Sequence, residues 1–170
     1  PIAMSFCSHP FGAAALVIQW HVVGMYAPGF VTGSLIRRFG VLNVILAGIA
    51  LVASCVAVAL NGITVTHFLV ALALLGVGWN FMYTGGTALL TESCSPPEKA
   101  RTQGANDFLV FATMGVSSLA SGAMVSTAGW EAMNRAMLPI LAALATVVLW
   151  YAWRRRAVRD DVPGRCHPRR

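Results

Sequence analysis

Long apolar blocks constrain the fold of this chain more than any other feature of its sequence. Five such blocks lie at 13–36, 41–60, 68–90, 108–125 and 136–153. A helix needs about 20 residues to cross the hydrocarbon core of a bilayer, and the length of each block is close to this value. Charged residues make up only 11% of the chain, whereas an ordinary soluble domain contains about 25%. The sequence therefore predicts an all-α membrane protein, with five transmembrane helices in one domain, 1–153.

Basic residues are distributed unevenly among the connections between these blocks. Of the 12 lysines and arginines, all but Arg135 fall in alternate connections or after the last block. The positive-inside rule assigns that side to the cytoplasm, so residue 1 is expected outside the membrane and residue 170 inside it. The segment 154–170 is predicted to be a disordered, basic cytoplasmic tail. Nucleic-acid binding is the alternative interpretation of this tail, but arginines beside Trp150 and Trp153 are typical of a topology signal.

The first basic connection carries a recognisable motif, TGSLIRRFG, at 32–40. Its two glycines permit a tight turn and a close approach of helices. The segment resembles the loop signature G-x-L-a-D-r-x-G of the major facilitator superfamily of transporters, and it matches at Gly33, Leu35, Arg38 and Gly40. Arg37 stands where the family usually has aspartate, as in a degenerate second copy of the motif. The second basic connection, 95–104, also resembles an inner loop of this family.

The resemblance implies that the five blocks are helices eight to twelve of a facilitator. They would form most of a C-terminal six-helix bundle, which consists of inverted three-helix repeats. An internal echo agrees with such repeats at a constant offset of 89 residues; it aligns Met25, Thr32, Gly33 and Gly40 with Met114, Ser121, Gly122 and Gly129. The chain is therefore expected to be a C-terminal piece, with the lipid bilayer and an N-terminal bundle outside this sequence as its partners.

The third block carries one stripe of polar side chains. Asn80, Thr84 and Thr87 recur at helical spacing, with Tyr83 beside them. Under the resemblance this helix lines the central cavity, so these four residues are the predicted substrate-binding residues. The alternative is that the hydroxyls bond to the backbone of their own helix or hold neighbouring helices together.

Ionisable side chains suggest two further sites. His21 is the ionisable side chain deep within the first block, and imidazole changes its charge near neutral pH, so His21 is a candidate for proton coupling. A neutral histidine bonded to a neighbouring helix is the equal alternative. Glu92, Arg101 and Asp107 lie at the inner ends of the third and fourth blocks and are predicted to form an inner charge network. Their alternative is solvated loop charges, which contribute little.

The sequence predicts no enzyme, metal or cofactor. Neither H-E-x-x-H nor a pair of aspartates at one depth is present, and the four cysteines are too dispersed for a zinc site. The predicted function is a secondary active transporter of a small solute in a bacterial-type inner membrane, working by alternating access. Coupling to protons stays open, as do the solute and its direction. The alternatives are a membrane scaffold that does not transport and a non-functional, truncated remnant of a transporter.

Overall fold

The computed structural model describes residue 4 and residues 7–160, with side chains to residue 157. Its described part contains helices and no strand. The α-helices are α1 (Phe11–Tyr26), α2 (Gly29–Phe39), α3 (Val41–Asn61), α4 (Val65–Glu92) and α5 (Lys99–Asp160), with a short 3-10 helix, Pro96–Glu98, before α5. Among these residues three helices are long and apolar enough to cross a membrane, and the bent pair α1–α2 adds a fourth span. The predicted all-α membrane fold is confirmed.

The first predicted span, 13–36, consists of two helices. α1 and α2 meet at a bend of 43° next to Pro28. Proline has no N–H to continue the helical hydrogen bonds, and its ring crowds the preceding turn, so the sequence favours a break here. The second and third predicted spans, 41–60 and 68–90, coincide closely with α3 and α4.

Gly129 divides α5 into two arms, 99–128 and 130–160, which we call the first arm and the second arm. Its φ of 85° and ψ of 171° are not helical. In the first arm, Asp107 lies beside Tyr83, and Val125 packs against the cluster that contains Phe68, nearer the start of α4. The chain therefore runs antiparallel to α4 up to this point.

The second arm returns in the opposite direction. Trp130 Nε1 donates to Ala59 O at 3.0 Å, near the end of α3. Further along, Leu141, Ala145 and Val148 pack on the start of α3. The predicted fourth and fifth spans, 108–125 and 136–153, thus belong to these two arms, and the predicted connection, 126–135, is helical except at Gly129.

The bundle has two distinct ends. At the first, the basic end, Gly40–Asn43 lie beside Arg155 and Arg156 around a cavity of about 230 Å³. At the opposite end, His9 Nε2 lies 2.7 Å from Ile63 O. Cys7 packs there against an apolar cluster that consists of Met4, Ala14, Val17 and Phe68. The structure thus brings the arginines of the first connection and of the second arm to one end.

Glycines allow the helices to pack backbone against backbone. A Cβ at Gly76 of α4 would lie 2.5 Å from His21 O, and one at Gly24 of α1 would lie 3.0 Å from Ala73 O. α3 and α4 make a similar approach, where a Cβ at Gly78 would lie 2.9 Å from Gly48 O. These contacts place α4 between α1 and α3, which makes it the central helix of the bundle.

The end of the second arm differs from the tail predicted at 154–170, because the helix continues to Asp160. Arg154 lies 5.0 Å from the ring of Trp150, and Arg155 lies 5.1 Å from the ring of Tyr151. These are pairs at i and i+4, and cation–π contacts of this spacing favour the helix. The remainder of the predicted tail, 161–170, lies outside the described residues.

Candidate functional site

An open groove of about 420 Å³ lies between α4 and the first arm of α5. We call it the aromatic groove; its lining residues are Trp79, Leu109, Val110, Thr113, Met114 and Ser117. The lining is mainly apolar with a few polar groups, and the volume falls within the range of about 300–1,000 Å³ that is usual for small-molecule sites. The groove is therefore a candidate site for a small solute.

Two aromatic rings stack at the edge of this groove. The rings of Trp79 and Tyr83 are nearly parallel, with an interplanar angle of 13° and centroids 5.5 Å apart. Their spacing of four residues on α4 places both on one side of the helix. A flat face of this kind can receive a second flat ring by offset stacking.

A carboxylate from the first arm fixes the hydroxyl of Tyr83. Tyr83 Oη donates to Asp107 Oδ1 at 3.0 Å, and Asn106 Nδ2 lies 3.4 Å from the same oxygen. Asp107, Val110 and Ser117 follow one another at spacings of three and seven residues, so they share one side of the first arm. The groove therefore offers the indole of Trp79 and two hydroxyls, and the Tyr83–Asp107 pair lies next to this indole.

The structure places Asn80 away from the groove, in contact with the first span. Its side chain is only 8% exposed. Asn80 Oδ1 accepts from Thr32 Oγ1 at 2.7 Å, and Asn80 Nδ2 donates to Met25 O at 2.8 Å. Of the four predicted substrate-binding residues, Tyr83 stacks on the groove residue Trp79, and Asn80 is bonded to α1 and α2.

The two threonines of the predicted stripe are half-buried on α4. Thr87 Oγ1 is buried and has no hydrogen-bond partner among the described residues. Thr84 makes no side-chain hydrogen bond within the same part of the chain. Further along, Thr91 Oγ1 bonds to the carbonyls of Thr87 and Ala88 in its own helix, which is the behaviour that the alternative interpretation predicted for hydroxyls.

His21 joins α1 to α4. Its Nδ1 lies 2.8 Å from Leu72 O, and because a carbonyl oxygen only accepts, Nδ1 carries the hydrogen in this bond. The bond is adjacent to the close approach of Gly76 to His21 O. The structure thus gives His21 a partner on a neighbouring helix, as the alternative interpretation expects.

The predicted inner charges do not pair with one another. Glu92 Oε2 lies 3.6 Å from Arg155 of the second arm, and Asp107 accepts from Tyr83. Arg101 is exposed. An ion pair at the basic end therefore exists, but it connects α4 to the second arm of α5.

The loop motif lies at the end of α2. Arg37 donates to Ser34 Oγ at 3.1 Å, and Arg38 lies 5.3 Å from the ring of Phe39. Gly40 ends the helix with a φ of 86°, a value that favours glycine. Gly33 has open space around its Cα, so the turn depends on Gly40.

No group of three histidines, cysteines, aspartates or glutamates in the described part of the chain could hold a metal ion.

Trp79 lines the groove, but the sequence analysis did not identify it as a site residue. Its spacing of four from Tyr83 was the available signal. Thr113 and Ser117 of the first arm also line the groove.

The sequence of this chain is similar to one protein family over nearly its whole length. A family-wide sequence model described as Major Facilitator Superfamily matches residues 1–168. The chain belongs to the Major Facilitator Superfamily. The resemblance found in the two loops is thereby confirmed, and the facilitator fold agrees with the helical structure.

Individual facilitators are also similar to this chain. The riboflavin transporter RfnT of Brucella anthropi is 45% identical over 142 residues, which are 84% of this chain and 36% of RfnT. The uncharacterized MFS-type transporters YdeG and YddS of Bacillus subtilis are each 33% identical, over 88% and 89% of this chain. The chain spans about a third of the length of these facilitators. No solved structure matches it.

Proposed function

We propose that this chain is part of a secondary transporter that moves a planar aromatic solute across the membrane by alternating access. The stacked pair Trp79–Tyr83 beside an open groove carries this proposal. A flat heterocycle could stack on the face of Trp79 that lines the groove, and its polar substituents would meet Thr113, Ser117 and Asp107. The 45% identity to a protein named a riboflavin transporter makes riboflavin the first solute to test.

The test is riboflavin uptake by the full-length protein reconstituted in lipid vesicles. Wild-type vesicles should accumulate riboflavin above empty vesicles, and Trp79→Ala should raise the KM for riboflavin. An aromatic contact contributes about 0.5–1.5 kcal/mol, so the expected increase is about two- to tenfold. Trp153→Ala is the matched control, because it removes an exposed tryptophan of the second arm that does not line the groove. Wild-type uptake no greater than that of empty vesicles would contradict the choice of riboflavin.

His21 is the proposed group for proton coupling. Its Nδ1 hydrogen is bonded to Leu72 O, so a proton would be accepted at Nε2. Protonation would add a positive charge next to the closest contact between α1 and α4. Such a charge is costly inside a membrane, so it would favour a different arrangement of these two helices.

The proposed orientation places the basic end in the cytoplasm of a bacterial-type inner membrane, as the positive-inside rule predicts. Two native cysteines can test it, because Cys7 packs at the opposite end and Cys94 follows α4 at the basic end. A membrane-impermeant maleimide added to intact cells should modify Cys7 and spare Cys94, as read by peptide mass spectrometry. Cys94 should react only after the cells are opened. The reverse pattern would invert the topology.

A further inference from the structure

The break between α1 and α2 frees backbone groups that an unbroken helix would pair. In such a helix, the N–H of residue 28 would donate to Gly24 O and that of Gly29 to Met25 O. Pro28 has no N–H, and α1 ends at Tyr26. Within a membrane an unpaired carbonyl is costly, because no water is present to replace the lost partner. A broken span therefore needs donors from a neighbouring helix.

Asn80 of α4 supplies such a donor. Its Nδ2 is 2.8 Å from Met25 O, a carbonyl in the last turn of α1. Its Oδ1 accepts from Thr32 Oγ1 of α2 at 2.7 Å. Pro28 O lies 2.8 Å from the same hydroxyl, so the two acceptors share its single hydrogen. Thr32 is completely buried and Asn80 is 8% exposed. One side chain of α4 thus bonds to the helix before the bend and to the helix after it.

We infer that Asn80 and Thr32 set the bend of the first span, and that Asn80 is a positioning residue for transport rather than a ligand of the solute. Its carbonyl oxygen and one amide hydrogen are already used within the protein. Burial also keeps it away from the aromatic groove. This inference deepens the proposed function and depends on it only for the transport measurement below.

The location of Asn80 explains how the bend can affect the solute site. Asn80 follows Trp79 directly in α4, and Tyr83 lies on the next turn. The helical turn that bonds to the bent span therefore also carries the aromatic face of the groove. A change of the angle between α1 and α2 pulls on this turn through Met25 O and Thr32, so solute binding and the bend are mechanically connected.

A stability cycle in the full-length protein tests the structural part without any solute. Asn80→Ala should lower the unfolding temperature in detergent. Pro28→Ala restores an N–H at residue 28 and allows the helix to continue, so Gly29 N–H can then bond to Met25 O. In the Pro28→Ala background, Asn80→Ala should therefore lower the unfolding temperature clearly less than it does in the wild type. An equal cost in both backgrounds would overturn the inference, because Asn80 would then act independently of the break.

Conservative variants of Thr32 provide a second test, which remains usable if Asn80→Ala or Pro28→Ala fails to fold. Thr32→Ser keeps the hydroxyl and should behave like the wild type, whereas Thr32→Val keeps the shape and removes the donor. Thr32→Val should lower the unfolding temperature, and its effect should not add to that of Asn80→Ala, since the two share one bond. Full additivity would contradict the shared bond.

Transport kinetics distinguish positioning from solute binding. With riboflavin as the probe, Asn80→Ala and Thr32→Val should lower the maximal rate by about fivefold or more, the size of change that follows from losing buried hydrogen bonds, and leave KM within about twofold. Thr32→Ser should restore the rate. A raised KM at an unchanged maximal rate would make Asn80 a solute ligand and overturn the inference. If wild-type vesicles carry no riboflavin, the proposed substrate fails, and the stability cycle still decides the role of Asn80.

Discussion

Gly40 and Gly129 adopt nearly the same backbone conformation at opposite ends of the bundle. Their φ angles are 86° and 85°, and their ψ angles are 148° and 171°. Each is a single residue at which the chain reverses between two antiparallel helices. The internal echo in the sequence aligns these two glycines, and in the structure the chain turns at both aligned positions with a similar backbone conformation.

Alanine at either turn should destabilise the protein. A positive φ costs a residue with a Cβ roughly 1–2 kcal/mol, so Gly40→Ala and Gly129→Ala should each lower the free energy of unfolding by about that amount. Gly33→Ala and Gly115→Ala are the matched controls, since both positions are helical and have open space around them. The controls should be neutral or slightly stabilising. Thermal unfolding of the full-length protein measures all four, and equal effects at turns and controls would contradict this account.

Gly76→Ala should be far more damaging than Gly86→Ala in the same helix. A Cβ at Gly76 would lie 2.5 Å from His21 O, whereas one at Gly86 meets nothing within 4 Å. The obstacle is backbone, which cannot rotate away, so α1 and α4 must separate at a cost of about 1–3 kcal/mol or more. Expression level and unfolding temperature should fall only for Gly76→Ala. A neutral Gly76→Ala would show that this helix contact is looser than the structure gives.

Tyr83→Phe should distinguish the contribution of the Tyr83 ring from that of its hydroxyl. The phenyl ring keeps the stack on Trp79, but the donor to Asp107 is lost, at a cost of about 1–3 kcal/mol for a hydrogen bond to a charged group. Asp107→Asn keeps an acceptor for the tyrosine hydroxyl without the charge. We expect Tyr83→Leu to raise the KM for riboflavin more than Tyr83→Phe does. Equal effects of Phe and Leu would indicate that the hydroxyl, and not the stacked ring, serves the solute.

The ion pair between Glu92 and Arg155 should contribute little to stability. Both side chains are about half exposed, and the charged atoms are 3.6 Å apart, so each single neutralisation should cost less than about 1 kcal/mol and the loss should shrink in high salt. Exchanging the two charges, Glu92→Arg with Arg155→Glu, should restore the wild-type unfolding temperature. Arg101→Gln is the control, because Arg101 is exposed and makes no ion pair in the described structure. A larger effect of Arg101→Gln would favour the originally predicted charge network.

His21→Asn and His21→Leu should separate packing from proton coupling. Asparagine can still donate to Leu72 O, so its unfolding temperature should stay near that of the wild type, whereas leucine leaves this carbonyl without the side-chain donor. Under the proposed coupling, both variants lose the dependence of riboflavin flux on an imposed pH gradient. A His21→Asn transporter that still responds fully to the gradient would exclude His21 as the coupling group.

Several features of the fold follow directly from local sequence. Apolar blocks of membrane-spanning length predict the helices, since backbone groups in lipid must be paired within each segment. Pro28 predicts the bend because it lacks an N–H, and Gly40 predicts a turn because it tolerates positive φ. These properties belong to single residues or to one helix, so no knowledge of neighbouring helices is needed. The helical end of the second arm, by contrast, was expected to be disordered.

The partners of the polar side chains required the tertiary structure. The spacing of Asn80, Thr84 and Thr87 places them on one helix, but it does not say which neighbour each meets. Asn80 bonds to Thr32 and Met25, which are 48 and 55 residues away in the chain, and Glu92 pairs with Arg155 instead of Arg101. The sequence alone determined the membrane helices, the turn at Gly40 and the superfamily motif, because these depend on hydrophobicity and on local backbone chemistry. Only the packing of α1 and α5 around α4 decided which side chains face the groove and which hold the bend, because those contacts join residues distant in sequence.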